Sequence, residues 1–534
     1  MSGGIFYEIA YEIAAGPLPK TSPDEVGHKA WGLMRMAAAG LPVPAGFVLP
    51  ASWSKACAQA SNRDLRAALS AGVSSLEKLT GLVFGSGRRP LVVSVRSGSA
   101  ASMPGMMETV LNIGLNPESV EGVIRLTGNP RLAWDCYRRL IQNYAEIVHG
   151  LPVASFDELI AEALSKGGVE GERELDFRAL RQLAYDMTAR FRDLSGESFP
   201  TDPWEQLYGA ARAVLRSWDA PKAVTYRRLN QISDAIGTAA TVQMMVFGNA
   251  GGESGSGVGF TRNPATGEPE LYLDFRFNGQ GDDVVAGRRI TEDHERLRRT
   301  LPVVWRQIQS TGQALEALFR DVQDFEFTLQ NGKLYLLQSR DAKRSDWAAL
   351  RIAVDLVREG TIRPQEALER LKQIDLTSVS RTRLEAHSAE LLARAQTASI
   401  GVTSGALALD NAAAERMAKN GPVILVRRDI DTADIGGIAN AGGILTAAGS
   451  RTSHAAVVAR QLGKVCLVGC AHLDIDLKKR SCRIGRRVLN EGDFISLDSN
   501  EGSIYSGLVN IATERPEREL KAIAQWERDS PTVR

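Results

Sequence analysis

The chain has 534 residues, of which 64 are Lys or Arg and 63 are Asp or Glu, so its formal net charge is +1. This length predicts about two to four domains, and the balanced charge gives no support for a nucleic-acid or membrane-surface partner. No apolar stretch reaches the roughly 18 residues that a membrane helix needs, and Glu8 and Glu12 argue against a signal peptide. We therefore expect a cytoplasmic protein whose five cysteines are reduced.

The first informative segment, residues 24–50, reads DEVGHKAWGLMRMAAAGLPVPAGFVLP. Its pattern predicts a helix that ends at Gly40, followed by a proline-punctuated turn and a strand. Lys29 lies near the start of this helix. Because a lysine at such a place is usually solvated, the local pattern alone gives it no role.

Residues 91–116, LVVSVRSGSAASMPGMMETVLNIGLN, combine a β-branched strand with a loop of small residues. The strand carries Arg96, and the loop that follows leaves backbone N–H groups free to bind phosphate oxygens. An ordinary turn is the alternative for such a loop when it is taken alone.

Further along, residues 120–240 are mostly helical and amphipathic in pattern, and residues 241–287 return to strand-like segments broken by glycine clusters. The G-S-G-V-G piece in the second region is not a dinucleotide fingerprint, because a strand rather than a helix follows it.

Residues 321–344, DVQDFEFTLQNGKLYLLQSRDAKR, carry a hairpin signal, with polar and apolar residues alternating on both sides of an Asn-Gly turn. The period of two puts Asp324 and Glu326 on one face of the first strand. These carboxylates, with Gln338 on the paired strand, are hard oxygen donors suited to Mg²⁺ that bridges nucleotide phosphates. A solvated polar face of a hairpin is the alternative.

Residues 442–470, GGILTAAGSRTSHAAVVARQLGKVCLVGC, place a helix pattern directly after a small-residue loop. Thr452 or Ser453 can cap this helix, and His454 then lies at the positive end of the helix dipole. We expect that position to keep a neutral, nucleophilic imidazole nitrogen at neutral pH and to stabilise a phosphoryl group attached to it. The alternative is that His454 is simply a polar residue at a helix start.

Four of these segments together resemble the pyruvate phosphate dikinase and phosphoenolpyruvate synthase family. They are T-S-H-A-A-V-V-A-R around His454, S-M-P-G-M-M-E-T-V-L-N-I-G-L-N after Arg96, D-x-E-F-T with L-Q-x-R in the hairpin, and G-H-K at residues 27–29. The resemblance covers nearly the whole chain. Three positions depart from the family pattern, because His28 replaces the second glycine of Gly-Gly-Lys, and Ser450 and Arg451 stand where the family has glycine and methionine.

The resemblance implies a role for each residue that matches a family motif. The implied ATP-binding residues are Lys29, Arg96, Asp324, Glu326, Gln338 and Arg340, with Gln243 and Val246 close to the adenine, and the implied phosphate loop contains Ser102, Met103 and Gly105. His454, Arg96 and Lys29 are the implied catalytic residues, and Glu326, Gln338 and Asp324 the implied ligands of the cofactor Mg²⁺. Thr452 matches a position at which some family members are regulated by phosphorylation.

The implied fold is α+β and multidomain, with an ATP-grasp nucleotide-binding domain followed by a swivelling β/α phosphohistidine domain. The expected boundaries are 1–345 for the nucleotide domain with a helical insert at about 120–240, 346–395 for a helical linker, 396–512 for the phosphohistidine domain and 513–534 for a C-terminal tail.

In function, the resemblance implies that His454 takes the β-phosphoryl group of ATP, that AMP leaves, and that inorganic phosphate takes the γ-phosphoryl group as pyrophosphate. A full dikinase continues into a barrel that binds pyruvate and phosphoenolpyruvate, and this sequence stops before it, so we expect the acceptor on a separate subunit or protein. Two alternatives stay open: a self-contained small-molecule kinase that uses the same intermediate, and a nonenzymatic nucleotide-sensing protein or scaffold.

Overall fold

The computed structural model describes residues 6–9, 20–56, 62–101, 103, 106–169, 171–280, 293–386, 389–430, 435–449, 459 and 462–529. They form two compact units, one of Met1–Gly255 with Phe325–Arg340 and one of Ser256–Asp324 with Asp341–Arg534. Both units contain helices and strands, so the prediction of an α+β protein with several domains is confirmed. Within the described part of the chain, no helix combines the length and apolarity needed to cross a membrane.

The first unit is built on a five-stranded sheet. Its strands are β1 (Tyr7–Ile9), β2 (Gly46–Leu49), β5 (Val93–Gly98), β6 (Thr109–Ile113) and β7 (Ala239–Met244), with the short parallel pair β3 (Val83–Phe84) and β4 (Pro90–Leu91) separate from it. The order is β1-β2-β7-β5-β6, and all neighbours are antiparallel. The central strands β5 and β7 are buried along nearly their whole length.

Helices cover this sheet and make up the region between β6 and β7. They are α1 (Pro23–Ala38), α2 (Ser52–Ala56), α3 (Asn62–Thr80), α4 (Pro117–Thr127), α5 (Pro130–His149), α6 (Ala154–Gly167), α7 (Phe177–Ser195), α8 (Pro203–Arg216) and α9 (Pro221–Leu229). Side chains of Asn116, Asn129, Asp176 and Asp202 accept hydrogen bonds from the first turns of α4, α5, α7 and α8. Such caps satisfy backbone N–H groups that have no partner inside the helix.

A β-hairpin contributes Phe325–Arg340 to the first unit. Its strands are β10 (Gln323–Gln330) and β11 (Lys333–Asp341). Asn331 and Gly332 between them have φ values of 50° and 74°, which is the left-handed conformation that a tight hairpin turn of this type requires. The hairpin predicted from the Asn-Gly signal is therefore present.

The second unit contains an eight-stranded sheet in addition to smaller sheets and helices. Its strands are β8 (Gly255–Phe260), β9 (Tyr272–Phe277), β12 (Arg381–Leu384), β13 (Leu391–Arg394), β14 (Gln396–Ser399), β15 (Val402–Ala408), β16 (Val423–Arg427), β17 (Gly443–Thr446), β18 (Val465–Val468), β19 (Leu473–Asp476), β20 (Ser481–Ile484), β21 (Arg487–Asn490), β22 (Phe494–Asp498), β23 (Ser503–Ser506) and β24 (Ile511–Glu514). The large sheet has the order β13-β23-β22-β15-β16-β17-β18-β14, in which β15 to β18 are parallel.

Helices of the second unit are α10 (Asp293–Thr300), α11 (Pro302–Phe319), α12 (Asp346–Arg358), α13 (Pro364–Leu371), α14 (Asn411–Ala418), α15 (Ile435–Asn440) and α16 (Glu517–Asp529). The last of them packs Ile523 into the apolar core of α12 and α13. Strand β12 pairs with β24, so Arg381 lies opposite Glu514. The polar stretch after α13 and the C-terminal segment are thus joined by backbone hydrogen bonds.

The cysteines that the structure describes are all buried: Cys136, Cys466, Cys470 and Cys482. Burial raises the pKa of the Cys482 thiol to about 12. A thiol that stays protonated is a weak nucleophile and a weak metal ligand.

Candidate active site

Helix α1 is interrupted at Gly27, two residues before Lys29. Gly27 has φ 79° and ψ 154°, and a Cβ atom there would lie only 2.6 Å from the carbonyl carbon of Gly98. The His28 N–H donates to the carbonyl oxygen of Ser99 over 3.1 Å. The chain before Lys29 therefore lies directly against the end of β5, and only glycine fits at position 27 without strain.

His28, which departs from the family pattern, is compatible with this arrangement. Its side chain is exposed, and its φ is not in the left-handed region. The second glycine of the usual motif is therefore not required by the local backbone, whereas the first one is.

Lys29 is the centre of a charged cluster within the first unit. Burial lowers the pKa of Lys29, the neighbouring guanidinium groups of Arg96 and Arg340 lower it further, and the carboxylate of Glu326 opposes them. The Lys29 side chain remains accessible to solvent, so it lies in a crowded but open site. Three cations and one carboxylate leave an excess of positive charge, which favours a polyanionic ligand.

Arg96 reaches this cluster from the central strand of the sheet. It lies on β5 opposite Thr109 of β6 and Thr241 of β7, while its neighbour Val95 is fully buried. Of the three predicted residues in the loop that follows β5, the structure describes Met103, and its side chain is buried. The other two predicted residues of that loop, Ser102 and Gly105, lie outside the described residues.

The hairpin supplies the predicted metal ligands. Glu326 on β10 and Gln338 on β11 are half-buried and belong to the first unit, and Asp324 on β10 is buried and belongs to the second. Among the described residues, no group of three or more His, Cys, Asp or Glu side chains is arranged to hold a metal ion. Carboxylate and amide oxygens such as those of Glu326 and Gln338 are the kind of donors that Mg²⁺ takes together with nucleotide phosphates, so the residue types fit this ion.

Val246 lines a cavity of about 350 Å³ in the first unit. Most of the other lining residues are apolar, among them Met245, Phe247 and Tyr335. Gln243, two residues before Met245, is almost fully buried, and its Nε2 donates to the Pro44 carbonyl oxygen over 3.0 Å. Its Oε1 has no hydrogen-bond partner among the described residues. An apolar cavity of this size is suited to a planar base, whereas Gln243 is not among the residues that line it.

Sequence reasoning missed the importance of Gly27 and Gly98. Gly27 was only part of a motif, and the strain that a side chain would cause there comes from Gly98, about 70 residues away in the printed sequence. A glycine inside an amphipathic helix pattern was the available signal, because glycine in a helix interior needs a special reason.

His454 and Thr452 lie outside the described residues. The strands on either side of them, β17 and β18, are parallel neighbours, with Gly443 opposite Val465. Parallel neighbours are joined by a crossover connection rather than by a tight turn. In the sequence, the predicted nucleophile lies between these two strands of the second unit.

Two family descriptions match the chain. Residues 62–313 match pyruvate phosphate dikinase, AMP/ATP-binding domain, and residues 419–502 match PEP-utilising enzyme, mobile domain. The first match includes Arg96, and the second includes His454 and Thr452.

Curated relatives agree with these matches. Pyruvate, phosphate dikinase of Clostridium symbiosum is 41% identical over 512 residues, which cover 94% of this chain and 58% of that protein. The protein of the same name from Rhizobium meliloti (strain 1021) is 39% identical over 520 residues, with the same shares, and the chloroplastic one from Flaveria pringlei is 39% identical over 511 residues, covering 94% and 53%. The chain thus spans little more than half the length of these relatives. As its sequence motifs predict, the chain belongs to the pyruvate phosphate dikinase family.

Proposed function

We propose that this protein is an ATP-dependent phosphotransferase that forms a phosphohistidine intermediate on His454. The observation that carries the proposal is the convergence of Lys29, Arg96, Arg340 and Glu326 in the first unit. These side chains come from three separate segments of the sequence. Their net positive charge is what a bound triphosphate requires, and family membership supports assigning that triphosphate to ATP.

In this proposal Lys29, Arg96 and Arg340 bind phosphate oxygens and hold the nucleotide in line with the nucleophile. Phosphoryl transfer depends mainly on such positioning and on neutralisation of charge. The base lies near Gln243 and Val246, where the cavity is apolar. Ser102, Met103 and Gly105 belong to a loop whose backbone N–H groups donate to the phosphates.

The proposed half-reaction consumes ATP and inorganic phosphate and yields AMP and pyrophosphate. A ring nitrogen of His454 bonds to the β-phosphorus while the bond from that phosphorus to the oxygen it shares with the α-phosphorus breaks, and AMP leaves with that oxygen. Inorganic phosphate then attacks the γ-phosphorus, the bond between the γ-phosphorus and the β,γ-bridging oxygen breaks, and pyrophosphate leaves. The β-phosphoryl group stays on His454.

Glu326 and Gln338, with Asp324 on the same strand as Glu326, are the residues that would hold Mg²⁺. The ion would neutralise negative charge on the phosphate oxygens of the nucleotide. The chain's own carboxylate Glu326 is also close enough to favour the charged ammonium group of Lys29.

The remaining parts of the proposal concern organisation. The nucleotide site belongs to an ATP-grasp domain within 1–345 with a helical insert at about 120–240, residues 346–395 form a linker, 396–512 form a swivelling phosphohistidine domain, and 513–534 a tail. The final acceptor is held on a separate subunit or protein. Thr452, two residues before His454, is a candidate site of regulatory phosphorylation.

The decisive experiment labels the purified chain with ATP carrying a radioactive phosphorus at the β position or, separately, at the γ position, each with and without inorganic phosphate. The expected result with phosphate is acid-labile label from the β position only. The variant His454→Ala is expected to take up no label.

Other outcomes favour the alternatives. Label that enters only from the γ position indicates direct γ-phosphoryl transfer instead of dikinase chemistry. Turnover of a small molecule by the chain alone favours a self-contained kinase. ATP binding with no label from either position overturns the proposal and favours a nonenzymatic nucleotide-sensing protein.

A further inference from the structure

A small apolar cluster lies beneath the phosphate loop and is separate from the main core of the first unit. Its buried members are Met103, Trp218 and Ala223, and the partly buried side chains packed against them are Met106, Met107, Tyr226, Ile232 and Ile236. The three methionines belong to the loop, and the other five residues belong to residues 217–236. We call residues 217–236 the loop platform.

Among the described residues of the loop, Met103 is the one most deeply seated on the loop platform. Its side chain is 6% exposed, whereas Met106 and Met107 are half-buried. An apolar side chain that is withdrawn from water stabilises the backbone at its own position more than a half-buried one does. Methionine also adapts its rotamers to irregular gaps, so it can hold a loop that makes small movements.

Polar contacts tie the end of the loop to the same platform. Lys222 Nζ lies 2.6 Å from Glu108 Oε1, and the Glu108 N–H donates to the Ser217 hydroxyl over 3.5 Å. The Glu108 carbonyl oxygen accepts from the Ser97 N–H over 3.2 Å. Because Ser97 follows Arg96 on β5, Glu108 connects the platform with the strand that carries a proposed phosphate ligand.

The loop platform is itself closed by interactions between its own residues. The Arg227 guanidinium lies 4.1 Å from the centre of the Trp218 ring and donates to the Trp218 carbonyl oxygen. Arg227 also forms an ion pair with Asp234 at 2.7 Å, and Trp218 Nε1 donates to the Asp234 carbonyl oxygen over 3.3 Å. A buried, planar arginine held in this way makes a rigid support.

We propose that the loop platform is the positioning element of the phosphate loop, with Met103 as its anchor and the Glu108–Lys222 pair as its second attachment. This inference rests on the proposed function, because it assigns the loop to ATP phosphates. Ordering a loop around a ligand costs conformational entropy, and a loop that is already anchored loses less of it on binding. The platform therefore favours ligands that carry the phosphate chain and has no effect on the base.

The test compares binding of ATP with binding of adenosine, which shares the base and sugar but has no phosphates. Met103→Ala removes the anchor from the loop side, and Ile236→Ala loosens the cluster from the platform side. Each substitution is expected to weaken ATP binding about tenfold, which corresponds to about one immobilised side chain, and to leave adenosine binding unchanged. The double variant is expected to lose less ATP affinity than the product of the two single fold-losses, because both substitutions act on one contact cluster.

Rescue and control variants separate positioning from general damage. Met103→Leu conserves volume and apolarity and is expected to restore the ratio of ATP to adenosine affinity. Leu229→Ala alters helix α9 of the loop platform at a side chain that is 77% exposed and lies outside the cluster, and is expected to behave as the wild type. Amide hydrogen exchange at residues 106–109 is expected to rise in Met103→Ala and Ile236→Ala.

The proposal is overturned if a substitution weakens ATP and adenosine binding equally. It is also overturned if Met103→Ala lowers ATP affinity in full while Ile236→Ala leaves it unchanged. A wild-type protein that binds ATP no better than adenosine overturns it as well. Failure of the proposed function gives a different result, because a chain that prefers ATP over adenosine but never labels His454 leaves the affinity ratios and their interpretation intact.

Discussion

Lys29 connects the charge of the site to a measurable proton exchange. Because the pKa of Lys29 is lowered from 10.5 by burial and by Arg96, the unfolded chain binds more protons than the folded chain between the lowered pKa and 10.5. In that pH range the contribution of Lys29 to the free energy of unfolding therefore rises with pH. Phosphate oxygens favour the protonated ammonium, so ATP binding is expected to take up protons there.

The measurement is calorimetry of ATP binding in buffers that differ in ionisation enthalpy, from neutral pH up to 10.5. Lys29→Met is expected to abolish the proton uptake and to weaken ATP binding by about ten- to a hundredfold, the range for a lost hydrogen bond to a charged group. Lys78→Met, at an exposed lysine of α3, serves as the matched control. Unchanged proton uptake in Lys29→Met would refute this assignment.

Gly27 offers a second residue-scale prediction, with Gly40, which lies just beyond the C-terminal end of α1, as its control. Both residues have a left-handed φ, 79° and 74°, but a Cβ at Gly27 would lie 2.6 Å from Gly98 whereas one at Gly40 meets nothing within 4 Å. Gly40→Ala is expected to cost about 1–2 kcal/mol for the backbone conformation alone. Gly27→Ala is expected to cost clearly more in urea unfolding and to weaken ATP binding, since α1 must shift away from β5.

The same residues mark the limit of prediction at this scale. The chemical types at Lys29, Arg96 and Glu326 were readable from motifs, because the ligand chemistry requires those types at that spacing. The direction of the Lys29 pKa shift and the backbone at Gly27 were not readable. Both depend on groups brought together by folding, from the strand β5 and from the hairpin.

Among the elements, helix α16 falls in the segment that was expected to be a C-terminal tail, and the structure adds what it packs against. Ile523 is 1% exposed within the core of α12 and α13. Ile523→Ala is expected to lower the free energy of unfolding by about 2–5 kcal/mol, the usual cost of such a cavity, and to leave ATP affinity unchanged. Gln525→Ala, at an exposed position of the same helix, is expected to have no effect.

Denaturant unfolding of the whole chain checks this prediction. An Ile523→Ala protein as stable as the wild type would show that α16 does not stay docked in solution. A parallel loss of ATP binding would instead mean that this core supports the nucleotide site.

Elements with local signals were predicted well, and elements fixed by distant partners were not. The hairpin of β10 and β11 follows from an Asn-Gly turn and period-two alternation, both of which are local. Strand β12 gave no such signal, because its pairing with β24 joins Arg381 to Glu514. Residues so far apart in sequence meet only after the chain has folded.

At the scale of the whole molecule, the two parts of the proposed chemistry belong to different compact units. Lys29, Arg96 and Arg340 belong to the first, and the strands β17 and β18 that flank the His454 segment belong to the second. The α+β class and the family were predictable, since both rest on strings of motif residues. The final acceptor was not, because the chain spans 58% of the length of the Clostridium symbiosum relative.

This division makes the reverse half-reaction the sharpest test of the molecule as a unit. If the β-phosphoryl group resides on His454, the phosphorylated chain, freed of nucleotide, contains everything needed to rebuild ATP from AMP and pyrophosphate. We expect ATP to form together with inorganic phosphate, in amounts equal to the label lost from the protein and without any added protein. AMP alone, or pyrophosphate alone, is expected to leave the label in place, because the forward step releases both.

The control is the variant Lys29→Met, phosphorylated in the same way. It is expected to keep its label when AMP and pyrophosphate are added, because the phosphates are no longer positioned for transfer in either direction. Should that variant resist phosphorylation altogether, the rate of ATP synthesis by Arg340→Lys replaces it, because a lysine keeps the charge but loses the planar two-point contact. Release of label to water, with no ATP formed, would mean that the phosphohistidine is not an intermediate of a dikinase half-reaction. Stoichiometric ATP formation would place both directions of that chemistry within these 534 residues.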